Sequence, residues 1–113
     1  MKKFCIIASL LATSIVMAPT AQADNLSLRI CEYVQANDKN RLRSFLKQNK
    51  LKIRKIYSGL SCNGDNLLIF AAKSKSLEVG EFIIGKLPSK KVKAEIDNLT
   101  KYSAHLAEEA KDR

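Results

Sequence analysis

After residue 24 the chain repeats apolar residues at the three- and four-residue spacing of amphipathic helices. A first helix is predicted over about residues 25–36, and Asn37-Asp38 then interrupts the apolar pattern. Asp38 is a suitable N-cap for a second helix, because its side chain can accept a hydrogen bond from a free backbone N–H of the first turn. The apolar residues of these two helices are Leu26, Ile30, Tyr33, Val34, Leu42, Phe45 and Leu46.

The segment from Leu51 to Leu60 fits two patterns. Its apolar residues alternate as in a strand at the start and recur as in a helical turn at the end. The sequence therefore predicts either a short helix or an extended connector here. Ser58-Gly59 and Asn63-Gly64 mark turns, because glycine and asparagine tolerate the backbone angles that tight turns require.

The second half of the chain also reads as helical. A third helix is predicted from about Asn66 to Ser74, and a fourth begins at the N-cap Ser76 and ends before Pro88. Ser89 to Leu99 and Thr100 to Lys111 fit one broken helix or two short helices, and the charged last residues are expected to fray. The predicted fold class is all-α.

The first 23 residues have the order of a cleavable signal peptide. Lys2 and Lys3 precede an uncharged apolar run from Phe4 to Ala18, and Ala21-Gln22-Ala23 supplies the small residues of a cleavage site. The run of 15 residues is shorter than the roughly 20 that span a bilayer, so a membrane anchor is the weaker alternative. We expect cleavage after Ala23, a periplasmic or secreted location, and a single domain over residues 24–113.

Removal of the leader changes the cysteine count. Cys5 leaves with it, and Cys31 and Cys62 remain, an even number in an exported chain. An oxidising compartment favours a disulfide between them, and the alternative is two separate buried thiols. Two distant cysteines and the single His105 do not make the four-ligand set that zinc prefers, so no metal is expected.

Part of the chain resembles an ankyrin repeat. In the segment from Asn63 to Leu87, Asn63-Gly64-Asp65 would form the turn and Ala71-Ala72 would let the inner helix pack closely. Residues 28–46 echo the pattern about 40 positions earlier. The usual Thr-Pro-Leu-His element is absent, and Lys75 stands where a glycine usually follows the inner helix. The resemblance implies small ankyrin-like helical hairpins with a C-terminal helix.

A second resemblance covers most of the exported domain, residues 26–88. The residues that carry it are Ile30-Cys31, Tyr33-Val34, Ala36-Asn37-Asp38-Lys39, Arg41-Leu42-Arg43, Ile56-Tyr57, Gly59, Cys62-Asn63-Gly64, Leu67-Leu68, Phe70-Ala71, Val79-Gly80 and Phe82-Ile83. In these the chain is similar to a family of short exported bacterial proteins, domain of unknown function 3718. The resemblance implies bacterial export and pairing of Cys31 with Cys62, and it implies no activity or ligand.

The sequence offers little chemistry. An enzyme needs a nucleophile, a base or a metal within a positioned set of side chains. His105 lies in a polar tail with Ser103, Glu108 and Glu109, where we expect it to be solvated. No phosphate-binding glycine loop, Cys-x-x-Cys motif or serine-centred elbow is present. The sequence therefore predicts a non-enzymatic protein without catalytic residues or cofactor.

The strongest functional feature is electrostatic. The whole chain carries a formal charge of +9, and loss of the leader, with two lysines and no acid, leaves +7. No acidic residue occurs between Asp38 and Asp65. The basic residues of this interval, called here the basic stripe, are Lys39, Arg41, Arg43, Lys47, Lys50, Lys52, Arg54 and Lys55. Such a stripe attracts anions through its summed field, and the alternative is a solvated helix face that only maintains solubility.

Two functions follow. The first is a module that binds another envelope protein through its helical hairpins. The second is a binder of polyanions, such as anionic lipid or lipopolysaccharide, through the basic stripe. Nucleic acid is disfavoured as a partner, because the compartment is wrong and the stripe lacks a platform of aromatic side chains for stacking bases.

Overall fold

The computed structural model describes residues 25–113, which form eight α-helices and a short 3-10 turn at Tyr57–Gly59, with no strand in this range. The all-α prediction is confirmed. The predicted signal peptide, residues 1–23, lies outside the described residues. None of the helices described is long and apolar enough to cross a membrane. The helices are α1 (25–35), α2 (Lys39–Gln48), α3 (Ile53–Ile56), α4 (Leu67–Lys73), α5 (Leu77–Lys86), α6 (Ser89–Lys93), α7 (Ile96–Tyr102) and α8 (Ala104–Lys111).

The first two helices form a hairpin as predicted. The Asp38 side chain accepts a hydrogen bond from the backbone N–H of Arg41 at 3.1 Å, which confirms it as the N-cap of α2. The rings of Tyr33 and Phe45 meet edge to face across the hairpin, with centroids 5.6 Å apart. The fully or nearly fully buried apolar side chains of this hairpin are Ile30, Val34, Leu42 and Leu46.

The segment between the hairpins adopts the helical alternative, as α3 and the 3-10 turn. It leads to the predicted Asn63-Gly64 turn, where Cys62 and Asp65 exchange two backbone hydrogen bonds of 2.8 and 3.0 Å. Asn63 and Gly64 have φ angles of 54° and 83°, so both central residues are in the left-handed region. This is the geometry of a type I′ turn, for which Asn-Gly is a preferred pair.

Helix α4 lies at the centre of the core. Its first six residues, from Leu67 to Ala72, are all buried, and α5 and α7 pack against it. The Asn66 side chain begins the helix by accepting a hydrogen bond from the backbone N–H of Ile69 at 2.8 Å. Ala71 and Ala72 are completely buried, and their small side chains permit the close packing that the ankyrin resemblance implied.

A disulfide joins Cys31 on α1 to Cys62, just before α4, with their Cα atoms 5.8 Å apart. The pairing predicted from the sequence is therefore present, and the alternative of two separate thiols is not. The bond ties the first hairpin, α1–α2, to the turn that introduces the second hairpin, α4–α5. It closes a loop of 31 residues through the chain.

The two hairpins turn in the same way. After α1 and after α4, the chain ends the helix with a pair of backbone hydrogen bonds reaching three and five residues back. The residue in the left-handed region is Asn37 in the first hairpin (φ 56°) and Lys75 in the second (φ 60°). The positive φ explains why ankyrin-like repeats usually have glycine at the position of Lys75. The two predicted helical hairpins are therefore present and share this turn geometry.

The prediction that the Ser76 side chain caps α5 is wrong. Ser76 occupies the N-cap position but makes no capping hydrogen bond, and its hydroxyl instead donates to the Gln35 carbonyl oxygen at 3.4 Å. Asn37 Oδ1, from the other hairpin, accepts the hydrogen bond from the Val79 backbone N–H at 3.0 Å. One hairpin therefore caps a helix of the other, a contact that local spacing in the sequence cannot reveal.

This shared cap makes a testable contribution to stability. We expect Asn37→Gly to lower the free energy of unfolding by about 1 kcal/mol, since glycine fits the left-handed backbone but removes the acceptor for the Val79 N–H. Asn37→Asp retains an acceptor and should stay within about 0.5 kcal/mol of wild type. Urea unfolding of the three proteins measures the difference. Equal stability of Asn37→Gly and wild type would show that the cap is not needed.

The C-terminal region differs from its prediction. Residues Ser89 to Lys111 form three helices rather than one broken or two short ones, and the main break lies at Ser103 rather than between residues 99 and 100. Ser103 Oγ accepts from the Leu106 backbone N–H and so begins α8. The last residue does not fray, because the Arg113 guanidinium is hydrogen-bonded to backbone carbonyls at the end of α5.

Candidate anion-binding groove

An open groove of about 630 Å³ lies where α2, the start of α3, the end of α5 and the last residue of the chain meet. Residues 43 and 47 are four apart on α2 and therefore share one helix face. Positive side chains surround the groove from all of these elements, and neither Asp nor Glu is among its lining residues. The positive side chains are Arg43, Lys47, Lys52, Arg54, Lys86 and Arg113.

The groove divides the predicted basic stripe. Arg43, Lys47, Lys52 and Arg54 line it, whereas Lys39, Arg41, Lys50 and Lys55 do not. Lys86 and Arg113 line it too, although the sequence analysis assigned them no role. They belong to segments distant from the stripe, and only the packing of α5 and the chain end beside α2 brings them there. No local pattern in the sequence could have found them, because α5 and the C-terminal segment each contain more acidic than basic residues.

The positive charge of the stripe is hardly neutralised. Within residues 25–113 its one ion pair joins Arg41 to Asp38, at 3.4 Å, and this pair is solvent-exposed. Exposed pairs of this kind contribute little to stability, and Arg41 is outside the groove. The six groove cations therefore act together on an approaching anion, because their fields add.

Arg113 holds one wall of the groove in place. Its Nε donates to the Ile84 carbonyl oxygen at 3.0 Å, and its Nη2 donates to those of Leu87 at 3.0 Å and Gly85 at 3.4 Å. These carbonyls belong to the C-terminal end of α5, where carbonyl oxygens lack helical partners and carry a partial negative charge. Arg113 is therefore a structural cation that fixes the wall.

The floor of the groove is apolar. The side chains of Leu46, Ile53 and Leu87 are buried beneath it, whereas Leu51, Phe82 and Pro88 are partly exposed to it. Lys86 Nζ lies 5.6 Å from the centre of the Phe82 ring, a distance at which the ring face attracts a cation. The groove thus combines a cationic rim with a recessed surface for an apolar side chain.

The groove side chains are suited to binding. Arg43 and Arg54 can each hold a carboxylate or phosphate with two parallel hydrogen bonds, whereas lysine acts as a point charge. None of the side chains that line the groove is an imidazole, a thiol or a carboxylate. The arrangement can therefore hold an anionic group with an attached apolar group.

His105 lies elsewhere and is not simply solvated. Its Nε2 contacts Glu81 Oε2 of α5, and Glu109 lies close by on α8. The hydrogen bond with the Glu81 carboxylate raises the pKa of His105 above its ordinary value, and the charges of Glu81 and Glu109 add to this. The sequence prediction missed this contact because Glu81 is 24 residues away along the chain.

Tyr57 is the other group with a strongly perturbed pKa. Burial raises the pKa of its hydroxyl well above the usual range, and the negative charge of Glu95 raises it further. The Tyr57 side chain is part of the core, and Lys91 Nζ lies 5.8 Å from the centre of its ring. Tyr57 therefore remains a neutral phenol at all physiological pH values.

Comparison with known families gives one match. Residues 30–94, more than half of the chain, match the model of a family described as protein of unknown function (DUF3718). The chain belongs to this family. The family resemblance predicted from the sequence is confirmed. No curated protein and no solved structure matches the chain.

The DUF3718 match bears on the groove and on the disulfide. It contains both Cys31 and Cys62 and reaches from α1 through α6. Five of the six groove cations fall inside the matched residues, and Arg113 falls outside. His105 and Glu109 also lie beyond the DUF3718 segment. The groove is therefore built almost entirely from residues that match the family, and Arg113, which follows α8, supplies its last wall.

Proposed function

We propose that this DUF3718 protein is an exported, non-enzymatic interaction module that binds an acidic segment of another envelope protein in its basic groove. The observation that carries the proposal is a rim of six positive side chains around an apolar floor, with no acidic lining residue. Export is supported by the leader pattern of residues 1–23. The disulfide adds support, because disulfides persist in oxidising compartments.

The shape of the groove favours a peptide over a membrane surface. Proteins that lie on bilayers insert an exposed apolar helix face between the headgroups. Among residues 25–113 the large apolar side chains exposed to solvent are Leu28, at 58%, and Leu77, at 37%, and neither lines the groove. The apolar floor is recessed between cations, where a side chain of an extended peptide can reach it and a flat bilayer cannot.

The groove also indicates the composition of the partner segment. Acidic residues would pair with the rim, where Arg43 and Arg54 offer two-point hydrogen bonding to carboxylates. One apolar side chain between those acids would contact Phe82 and Pro88 on the floor. Recognition of acidic motifs by clusters of arginine is a recurring mode of peptide binding.

The first test is direct binding of a fluorescently labelled acidic peptide with a central leucine, followed by anisotropy. We expect binding at about 0.05 M ionic strength that weakens steeply by about 0.5 M, because salt screens exposed charges. The double variant Arg43→Glu/Lys47→Glu lowers the summed charge of the side chains that line the groove from +6 to +2. It should weaken binding at least about tenfold, equivalent to about 1.4 kcal/mol.

The matched control is Lys39→Glu/Lys55→Glu. It changes the net charge of the protein by the same amount but leaves every groove side chain in place. We expect it to keep most of the affinity for the acidic peptide. Equal losses in the two double variants would show that only net charge matters and would refute the groove. No binding of wild type at low salt would also refute it.

Binding to lipid vesicles distinguishes the peptide-binding function from the second candidate function, which is binding to an anionic lipid surface. The protein is added to phosphatidylglycerol and to phosphatidylcholine vesicles under the same low-salt conditions, and co-sedimentation is measured. If the protein binds vesicles, the proposal predicts that the acidic peptide displaces them by occupying the groove. Strong binding to anionic vesicles that the peptide leaves unchanged would favour the lipid-surface function instead.

A further inference from the structure

We propose that Glu81, His105 and Glu109 form a binding site for a divalent transition-metal ion, with Zn²⁺ as the reference ligand. Glu81 is on α5, and the other two residues are on α8. One donor atom from each of the three side chains lies within 4.8 Å of the others. None of the three lines the basic groove, so this inference does not depend on the proposed function.

The backbone places these side chains together. His105 and Glu109 are four residues apart on α8, so they project from the same helix face. Glu81 follows Gly80, where α5 comes so close to α8 that an added Cβ atom would lie 2.6 Å from Leu106. The three ligands therefore stand where the two helices are closest and where packing of Leu106 in the core fixes their separation.

The distances suit a small metal ion. Zinc binds nitrogen and carboxylate oxygen at about 2.0–2.2 Å, so its tetrahedral ligands lie roughly 3.3–3.6 Å from one another. Donor atoms already within 4.8 Å reach that spacing by small rotations of exposed side chains. His105 Nε2 already points at the Glu81 carboxylate, and a metal ion would take the place of the shared proton.

The chemistry of the donors selects the metal. One imidazole with two carboxylates is a three-ligand set that leaves the fourth zinc position to water. Imidazole suits Zn²⁺, Cu²⁺ and Ni²⁺, whereas Mg²⁺ and Ca²⁺ prefer oxygen donors alone. All three side chains are exposed, so an ion and its water have free access. In the oxidised protein Cys31 and Cys62 are joined and do not compete as thiolates.

The test is calorimetric titration of the untagged, oxidised chain with ZnCl₂ near neutral pH. We expect one Zn²⁺ per chain, a rise in melting temperature with Zn²⁺, and no such rise with MgCl₂. His105→Ala and Glu109→Gln should each weaken Zn²⁺ binding about tenfold or more. Circular dichroism checks that these exposed substitutions leave the helix content unchanged.

The matched control is Glu108→Gln, which removes an exposed carboxylate one position away, outside the cluster. It should bind Zn²⁺ as wild type does. The proposal is overturned if wild type takes up no Zn²⁺, or if His105→Ala binds Zn²⁺ as tightly as wild type. Neither result would affect the acidic-peptide test, because that test depends on groove residues only.

Discussion

Reduction of the Cys31–Cys62 disulfide is expected to lower the free energy of unfolding by roughly 3–4 kcal/mol. The bond closes a loop of 31 residues. In the chain-entropy model, breaking the bond raises the conformational entropy of the unfolded chain and stabilises the unfolded state by that free energy. For a domain of this size each kcal/mol corresponds to about 4–8 °C, so the melting temperature should fall by roughly 12–32 °C. Melting curves with and without dithiothreitol measure the effect.

The double variant Cys31→Ala/Cys62→Ala is the control for this prediction. It should melt near the reduced wild type and should not respond to dithiothreitol. The native contacts between the two hairpins, among them the hydrogen bonds made by Ser76 and Val79, can remain when the bond is broken, so the expected cost arises in the unfolded chain. Coincident melting of oxidised and reduced wild type would contradict this account of the fold.

Gly80→Ala is expected to destabilise the protein by about 1–3 kcal/mol. A Cβ atom at residue 80 would lie 2.6 Å from Leu106 Cδ1 and 2.7 Å from Leu106 Cδ2. Leu106 is completely buried, so its Cδ atoms can move only within the packed core. Relief of the clash therefore requires Leu106 to change its rotamer or α5 and α8 to separate, and either change disturbs the packing around them.

Gly85→Ala, on the same helix, is the matched control. Nothing lies within 4 Å of a Cβ atom built at residue 85, so alanine should stabilise the helix by about 0.5–1 kcal/mol. The two substitutions are identical in chemistry and opposite in expected sign. In a Leu106→Ala background the cost of Gly80→Ala should disappear. Chemical unfolding measures all of these variants, and equal stability of Gly80→Ala and Gly85→Ala would contradict the close approach of α5 and α8.

Local patterns predicted the local structure well. The extent of α1, the Asp38 cap and the Asn63-Gly64 turn were all set by residues within a few positions of one another. Such features follow from backbone preferences and nearby hydrogen bonds, which a sequence displays directly. The disulfide was predicted from the count of cysteines in a chain that is expected to be exported, and it was confirmed.

The features that were missed all depend on distant residues. The α5 cap comes from Asn37, which lies 42 positions before the residue whose N–H it accepts. Arg113 reaches back 29 residues to Ile84 and completes the groove wall, so a segment expected to fray is ordered instead. The contact of His105 with Glu81 has the same origin. Packing of helices creates these contacts, and helix periodicity does not encode which partner each face will meet.

The predicted basic stripe and the residues that line the groove overlap only in part. Helix periodicity placed Arg43 and Lys47 on one polar face, and both line the groove. It could not separate them from Lys39 and Lys55, because that depends on where the end of α5 lies. Half of the stripe therefore lines the groove and half lies outside it. Variants with the same change in net charge can therefore test whether binding depends on the groove residues or on the overall charge.

Nuclear magnetic resonance of the labelled protein during titration with the acidic peptide tests the central claim most directly. The account predicts that amide shift changes concentrate at groove residues such as Lys47, Phe82 and Lys86, and that they vanish as salt is raised. Lys39 and Lys55 should hardly respond. Shift changes spread evenly over the basic stripe, or confined to residues outside the groove, would contradict it.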